Sequence, residues 1–154
     1  MRAHILTSAL SALEVTSNKW LRKIAPKTAR IDIKPYVQNK TGGTRDAIAL
    51  SFSGLGNGEG YKSLSGGQGR RVDVALLLGL AELAQASNQK AKGTVFFDEV
   101  FDSLDAEGIA AVSNVIEEMS SDRSIVIISH SGAVVDSLHA VKHLYINHGQ
   151  VTEI

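Results

Sequence analysis

The reading of this 154-residue chain turns on one stretch, GLGNGEGYKSLSGGQGRR, running from Gly54 to Arg71. Two different phosphate-contacting patterns stand side by side in it. The first half, Gly54 to Ser63, has the glycine spacing of a loop that wraps nucleotide phosphates. A working loop of that kind is Gly-x4-Gly-Lys-Ser/Thr between a strand and a helix, with the lysine reaching phosphate and the hydroxyl binding magnesium. Here Tyr61 separates Gly60 from Lys62, and Leu-Ser-Gly-Gly follows Ser63. Two glycines so soon after the lysine prevent a helix from starting there. Without that helix the nest loses its dipole and half its donors. The first half is therefore read as a glycine-rich loop built on Gly54, Gly56, Gly58 and Gly60.

The second half places a serine and two glycines immediately before a long helical pattern. Glycines let an anion approach the backbone, and the free N–H groups of a helix start favour it. The same residues also suit a plain helix cap, so this segment alone does not decide.

Downstream, TVFFDEVFDSLD (Thr94–Asp105) reads as an apolar strand that delivers Asp98 and Glu99 at its C-terminal end. Ligands bind at that end in open α/β sheets. Of two adjacent carboxylates, one can hold a magnesium ion through water while the other polarises an attacking water. IVIISHS (Ile125–Ser131) repeats the geometry, an apolar strand ending at His130.

Upstream, Leu6, Leu10, Leu13, Ser17, Trp20 and Ile24 follow a heptad rhythm for fewer than three heptads. Both the root of a coiled coil and an ordinary amphipathic helix fit. Pro26 stops that helix. ARIDIKPYV, NKTGGTRD and AIALSF then read as strand, turn and strand. The pattern from Arg70 to Ala86 is apolar almost all round, which predicts a buried helix. Asp105 is placed to cap a helix carrying Ile109, Val112, Val115, Ile116 and Met119 on one face. AVVDSL reads as a short helix, and HLYINHGQVTEI as a hairpin turning at Asn147–Gly149. The fold class is α/β: a parallel sheet with flanking helices, preceded by a β-hairpin and an N-terminal helix.

Sixteen basic and sixteen acidic side chains cancel, so net charge implies no partner. Lys19, Arg22, Lys23, Lys27, Arg30 and Lys34 do gather within sixteen residues beside Asp32. The cluster suits both a DNA phosphate backbone and a solvated helix face. The absence of cysteine excludes a disulfide framework. The longest apolar runs fall far short of a membrane span, so no membrane partner is expected.

The ordered set of motifs resembles the ABC-type ATPase superfamily. LSGGQ (Leu64–Gln68) looks like its signature motif, TVFFDE like Walker B, SLD (Ser103–Asp105) like the D-loop, and His130 like the switch histidine. DEVFDSLD looks like the SbcC-type and phage recombination-endonuclease ATPases of double-strand-break repair, which are SMC-like. Gln68, where repair ATPases often carry Glu, is closer to transporters. The resemblance implies the C-terminal lobe of an ABC-type head over residues 26–154, lacking Walker A, with residues 1–25 as the root of a coiled coil. It further implies ATP and Mg2+ as cofactors, with Asp98 supporting magnesium, Glu99 polarising the lytic water and His130 meeting the γ-phosphate. Ser65, Gly66, Gly67 and Gln68 would meet the γ-phosphate held by an opposing head, and Ser103 and Asp105 would act across that dimer. The implied partners are the N-terminal Walker A half, a second head, a nuclease subunit and DNA, in the cytoplasm at the nucleoid. The implied activity is ATP hydrolysis in DNA repair, and the chain alone is expected to be inactive. A chromosome-organising SMC head, a transporter ATPase and a non-catalytic regulatory module are the alternatives.

Overall fold

A computed structural model describes residues 2–38, 44–55, 58, 60–86, 93–140 and 142–153. Helix α1 runs from Arg2 to Ile24 and α2 from Gly66 to Ala86, and the two pack side by side. Of the heptad positions, Leu10, Ser17, Trp20 and Ile24 are buried, whereas Leu6 and its neighbour Ile5 are exposed. The helices cross closely at Ser17 and Gly79, where a Cβ on the glycine would stand 2.5 Å from Ser17 Oγ. Trp20 lies beneath this crossing. Its indole N–H donates to Glu82 at 2.9 Å, and the ammonium groups of Lys19 and Lys23 stand 5.0 and 5.1 Å from its ring centre.

Strands β1 (Arg30–Gln38) and β2 (Thr44–Ser53) form an antiparallel hairpin, with Ile31 opposite Phe52 and Ile33 opposite Leu50. The register shifts between Lys34 and Tyr36, around Pro35, which has no N–H to give to a ladder. Most of the turn expected at NKTGGTRD lies outside the described residues, as do Gly56, Asn57 and Glu59 of the glycine-rich loop. The outer edge of β1 is closed by α1. Ile33 N–H donates to Glu14 at 2.8 Å, and Asn18 both accepts from Ile31 N–H at 3.0 Å and donates to Ile31 O at 2.7 Å. An edge that would otherwise template another strand is satisfied from within.

The second part of the chain is a parallel pair, β3 (Val95–Asp98) and β4 (Ile125–Ile128), joined through α3 (Ala106–Ser120). Val112, Val115, Ile116 and Met119 of α3 are buried, and Glu118 pairs with Lys23 of α1. After α4 (Gly132–Ser137), β5 (Leu144–Asn147) and β6 (Gln150–Glu153) form a hairpin. Its turn residues His148 and Gly149 both have positive φ, 47° and 78°, as a two-residue turn between twisted strands requires.

The α/β class holds, and two features refine it. Among the described residues the strands form three two-stranded sheets, of which only β3–β4 is parallel. The apolar runs are also not buried on both sides. Phe97 faces the core, yet Phe96 is 67% exposed, Val126 39% and Ile128 49%, and every residue of β5 and β6 is exposed. Leu77 and Leu80 on α2 are exposed as well, whereas Val74, Ala75, Leu78 and Gly79 are buried. Nothing among the described residues lies over these surfaces.

Candidate functional site

The residues of LSGGQ sit in and just before the first turn of α2, which begins at Gly66 rather than after the glycines. Gln68 N–H donates to Ser65 Oγ at 3.3 Å, and Ser65 N–H donates to Gln68 Oε1 at 3.0 Å. These reciprocal bonds make a capping box, and its Ser-x-x-Gln spacing is the sequence signal that marks it. Ser65 and Gln68 thus satisfy two orphan donors and leave other N–H groups of the first turn free.

The segment Ser103–Asp105 lies against this helix start. A Cβ on Gly67 would stand 3.0 Å from Ser103 O, and one on Gly66 would stand 3.6 Å from Ser103 Cβ. Arg70 Nε donates to Asp102 O at 3.2 Å, and Arg71 Nη2 donates to Asp105 Oδ1 at 2.6 Å. The same Asp105 oxygen accepts from Gly108 N–H at 2.8 Å, which caps α3. That backbone bond, with Arg71 second, holds the Asp105 carboxyl below the usual range. Charge alone does not assign the two arginines a role in the sequence. The structure gives both to the segment Asp102–Asp105, from a helix whose next turn faces the core. Ser65, Gly67, Gln68, Ser103 and Asp105 line one cleft of about 470 Å3, together with Pro26 and Leu55.

A second cluster forms where β3 and β4 end. Glu99 N–H donates to Ile128 O at 3.0 Å, which brings the two strand ends together. His130 Nδ1 then stands 2.9 Å from Glu99 Oε2, an oxygen shielded from solvent. The hydrogen bond to Glu99 raises the His130 pKa above 6.5, helped by the negative charges of Glu99 and Asp102. Asp102, which no motif in the sequence singles out as a ligand, brings a third ligand atom within 4.8 Å of the other two. The connecting loop is strained: Glu99 has φ 49° and Ser103 φ 65°, a region that non-glycine residues enter at a cost. Asp98 closes β3 as an exposed carboxylate with no ion-pair partner among the described residues, a hard oxygen donor of the kind magnesium prefers.

Glu99 and His130 are therefore together, and the residues of LSGGQ are together with Ser103 and Asp105. The loop from Glu99 to Ser103 connects the two groups, with Asp102 O accepting from Arg70 of α2. The basic cluster is partly neutralised, since Lys19 pairs with Glu82, Lys23 with Glu118, and Arg30 with Asp32 and Glu14. No described helix is long and apolar enough to cross a membrane.

Residues 56–118 match the family described as SbcC/RAD50-like, Walker B motif. The chain is 42% identical over 71 residues to exonuclease subunit 2 of Enterobacteria phage T4, a match covering 46% of this chain and 12% of that protein. It is 37% identical over 97 residues to the SbcC component of the nuclease SbcCD of Staphylococcus epidermidis, covering 56% and 10%. A transporter also matches: the ATP-dependent lipid A-core flippase of Haemophilus influenzae, 30% identical over 96 residues, covering 62% and 14%. The chain spans 14% or less of the length of each of these relatives. Its fold superimposes with a TM-score of 0.72, at 14% identity, on a chain from a structural study of ATP-driven dimerization and DNA-stimulated activation of SMC ATPases, covering 98% of this chain and 87% of that one. In motif over residues 56–118 and in fold over nearly its whole length, the chain is similar to the C-terminal part of an SbcC/SMC-like ABC-type ATPase head.

Proposed function

We propose that this chain supplies half of an ATP-hydrolysing site in a DNA double-strand-break repair or recombination ATPase. The observation that carries the reading is the pairing of Glu99 with His130 at the ends of β3 and β4, linked by one short loop to the capped start of α2. One group offers Glu99, His130 and Asp98, with no phosphate-wrapping loop beside them among the described residues. The other offers the N–H donors of a capped helix start, in the cleft lined by Ser65, Gly67 and Gln68. Both are used at once if a Walker A half completes the first cluster and a second head presents its nucleotide to the other.

In that arrangement Glu99 accepts a proton from the attacking water, and His130 donates to the γ-phosphate. Asp98 would hold Mg2+, which when bound would supply charge neutralisation on the phosphate oxygens. Ser65, Gly66, Gly67 and Gln68 present donors to the γ-phosphate of the opposing head, and Ser103 with the Arg71-held Asp105 keeps the D-loop at that interface. Residues 1–25 form the root of a coiled coil, and residues 26–154 the lobe. A nuclease subunit as partner is supported by the printed names of the phage and staphylococcal relatives. DNA contact falls to Arg22, Lys27 and Lys34, the basic residues of the cluster with no ion pair among the described residues. A chromosome-organising SMC head is the second reading, favoured by the fold likeness to an SMC ATPase.

The test is complementation. Co-expression with a polypeptide carrying Gly-x4-Gly-Lys-Ser/Thr should give magnesium-dependent ATP turnover, and Glu99→Gln should lower kcat by about 100-fold or more, as loss of a general base does. Failure of any such polypeptide to confer turnover, or turnover indifferent to Glu99→Gln, would overturn the reading. Co-purification with a nuclease rather than a kleisin-like bridging subunit separates repair from chromosome organisation.

A further inference from the structure

We infer that Tyr61 is the positioning residue of the Ser65–Gln68 donors: its side chain pins the entry to α2, so that these donors stand where the nucleotide of an opposing head needs them. The inference deepens the reading above and rests on it.

The chain enters this segment with little to fix it. Gly60 carries no side chain, and a Cβ built on it would meet nothing within 4 Å. Tyr61 follows and reaches the helix. Its hydroxyl donates to Asp73, whose two carboxylate oxygens lie at 2.9 and 3.1 Å. Its ring meets Phe52, near the end of β2, edge to face with centroids 5.9 Å apart. It crosses α2 at Gly69, where a Cβ would stand 3.2 Å from the hydroxyl oxygen. Gly69 and Asp73 are one turn apart on the same face of α2, so one side chain spans both.

The backbone completes the tie. Tyr61–Ser63 form a 3-10 turn, closed by Leu64 N–H donating to Tyr61 O at 3.1 Å. Ser65 follows at once, and its carbonyl accepts from Gly69 N–H at 2.8 Å. The capping box therefore starts from a peptide already fixed to Tyr61. Burial does not account for the tyrosine, which is 49% exposed. What is specific is its hydroxyl, bonded to a half-buried carboxylate in a charge-assisted pair that raises the Tyr61 pKa above 10. Donors displaced by about 1 Å can lose 100-fold in rate, so this tie bears on turnover.

The test uses the head assembled with the Walker A polypeptide that confers ATP turnover. Tyr61→Phe keeps the ring on Phe52 and removes the hydroxyl. It should lower kcat by about tenfold and leave KM within about twofold, because the nucleotide is bound by the opposing head. Asp73→Ala should do the same, whereas Asp73→Asn, which still accepts the bond, should stay close to the parent. Mixed heads then show the direction of action. With Glu99→Gln on one head and Tyr61→Phe on the other, both defects fall in one site, and about half of the parent turnover should remain. With both changes on one head beside a parent head, both sites are damaged, and about a twentieth should remain. The reverse order of the two mixtures, equal loss in both, or parent-like turnover by Tyr61→Phe each overturns the inference. Turnover survives in those cases, so the ATPase reading stands. Absence of any turnover-competent assembly overturns both.

Discussion

The two parts of this molecule treat their strand edges and apolar faces in opposite ways. In the first, α1 lies along β1, donates Glu14 and Asn18 to its outer edge, and crosses α2 so closely that only a glycine fits at position 79. In the second, β4 and β5 keep open edges, Phe96 faces solvent, and the hairpin has no buried residue. The first part is finished by its own side chains. The second has a finished floor, α3 packed under β3 and β4, and an unfinished roof. What differs is where the covering surface comes from, and the candidate catalytic residues lie on the unfinished side.

The contrast gives its largest effect in stability. Leu21, fully buried between α1 and its neighbours, should cost about 2–5 kcal/mol when changed to alanine, as other buried leucines do. Ile146→Ser, at a residue 70% exposed, should shift the chain alone by no more than about 0.5 kcal/mol. Urea unfolding measures both, and equal losses would erase the distinction between the two parts. Gly79→Ala should cost about 1–3 kcal/mol by forcing α1 away from α2, with the sole tryptophan, Trp20, reporting the shift in its fluorescence. An unchanged midpoint would mean that the crossing is looser than the 2.5 Å approach implies.

Removing the capping hydroxyl with Ser65→Ala should cost about 1 kcal/mol in the same measurement. A variant as stable as the parent would leave Ser65 free of any structural duty. The smallest effect is protonic. The folded pKa of His130 is raised, so its pairing with Glu99 favours the folded chain most fully below the unfolded value of about 6.5, and that contribution disappears as pH rises through the folded value. An NMR titration of the metal-free chain should place the His130 ring above 6.5 and return it toward that value in Glu99→Gln. A titration insensitive to Glu99 would dissolve the pair.

Much of this is legible in the sequence because it rests on local chemistry. The stop at Pro26, the Asp105 cap, the buried stripe of α3 and the turn at His148–Gly149 each follow from residue type and spacing. The order LSGGQ, Asp98–Glu99, Ser103–Asp105, His130 carries the resemblance on its own. What stays hidden depends on neighbours distant in sequence. Periodicity marks VFFDE and IVII as apolar but cannot say whether both faces find cover, and here one does not. The arginines are visible as charges, but Arg71 can be assigned to Asp105 only once α2 and the segment Ser103–Asp105 are seen together. Asp102 looks like one more acid until the loop from Glu99 to Ser103 folds it toward His130. The capping box is different in kind: Ser65 and Gln68 have the right spacing, and the glycines between them draw the eye to phosphate chemistry before the simpler backbone role.

The claim that joins these observations is that the chain holds half of a nucleotide site. Isothermal titration of the purified chain with MgATP tests it most directly. The account predicts no saturable binding up to millimolar ATP, because the glycine-rich loop at Gly54–Gly60 lacks the lysine and helix that wrap phosphate, and the donors at Ser65–Gln68 serve a nucleotide held elsewhere. A stoichiometric, micromolar site on the chain alone would contradict it.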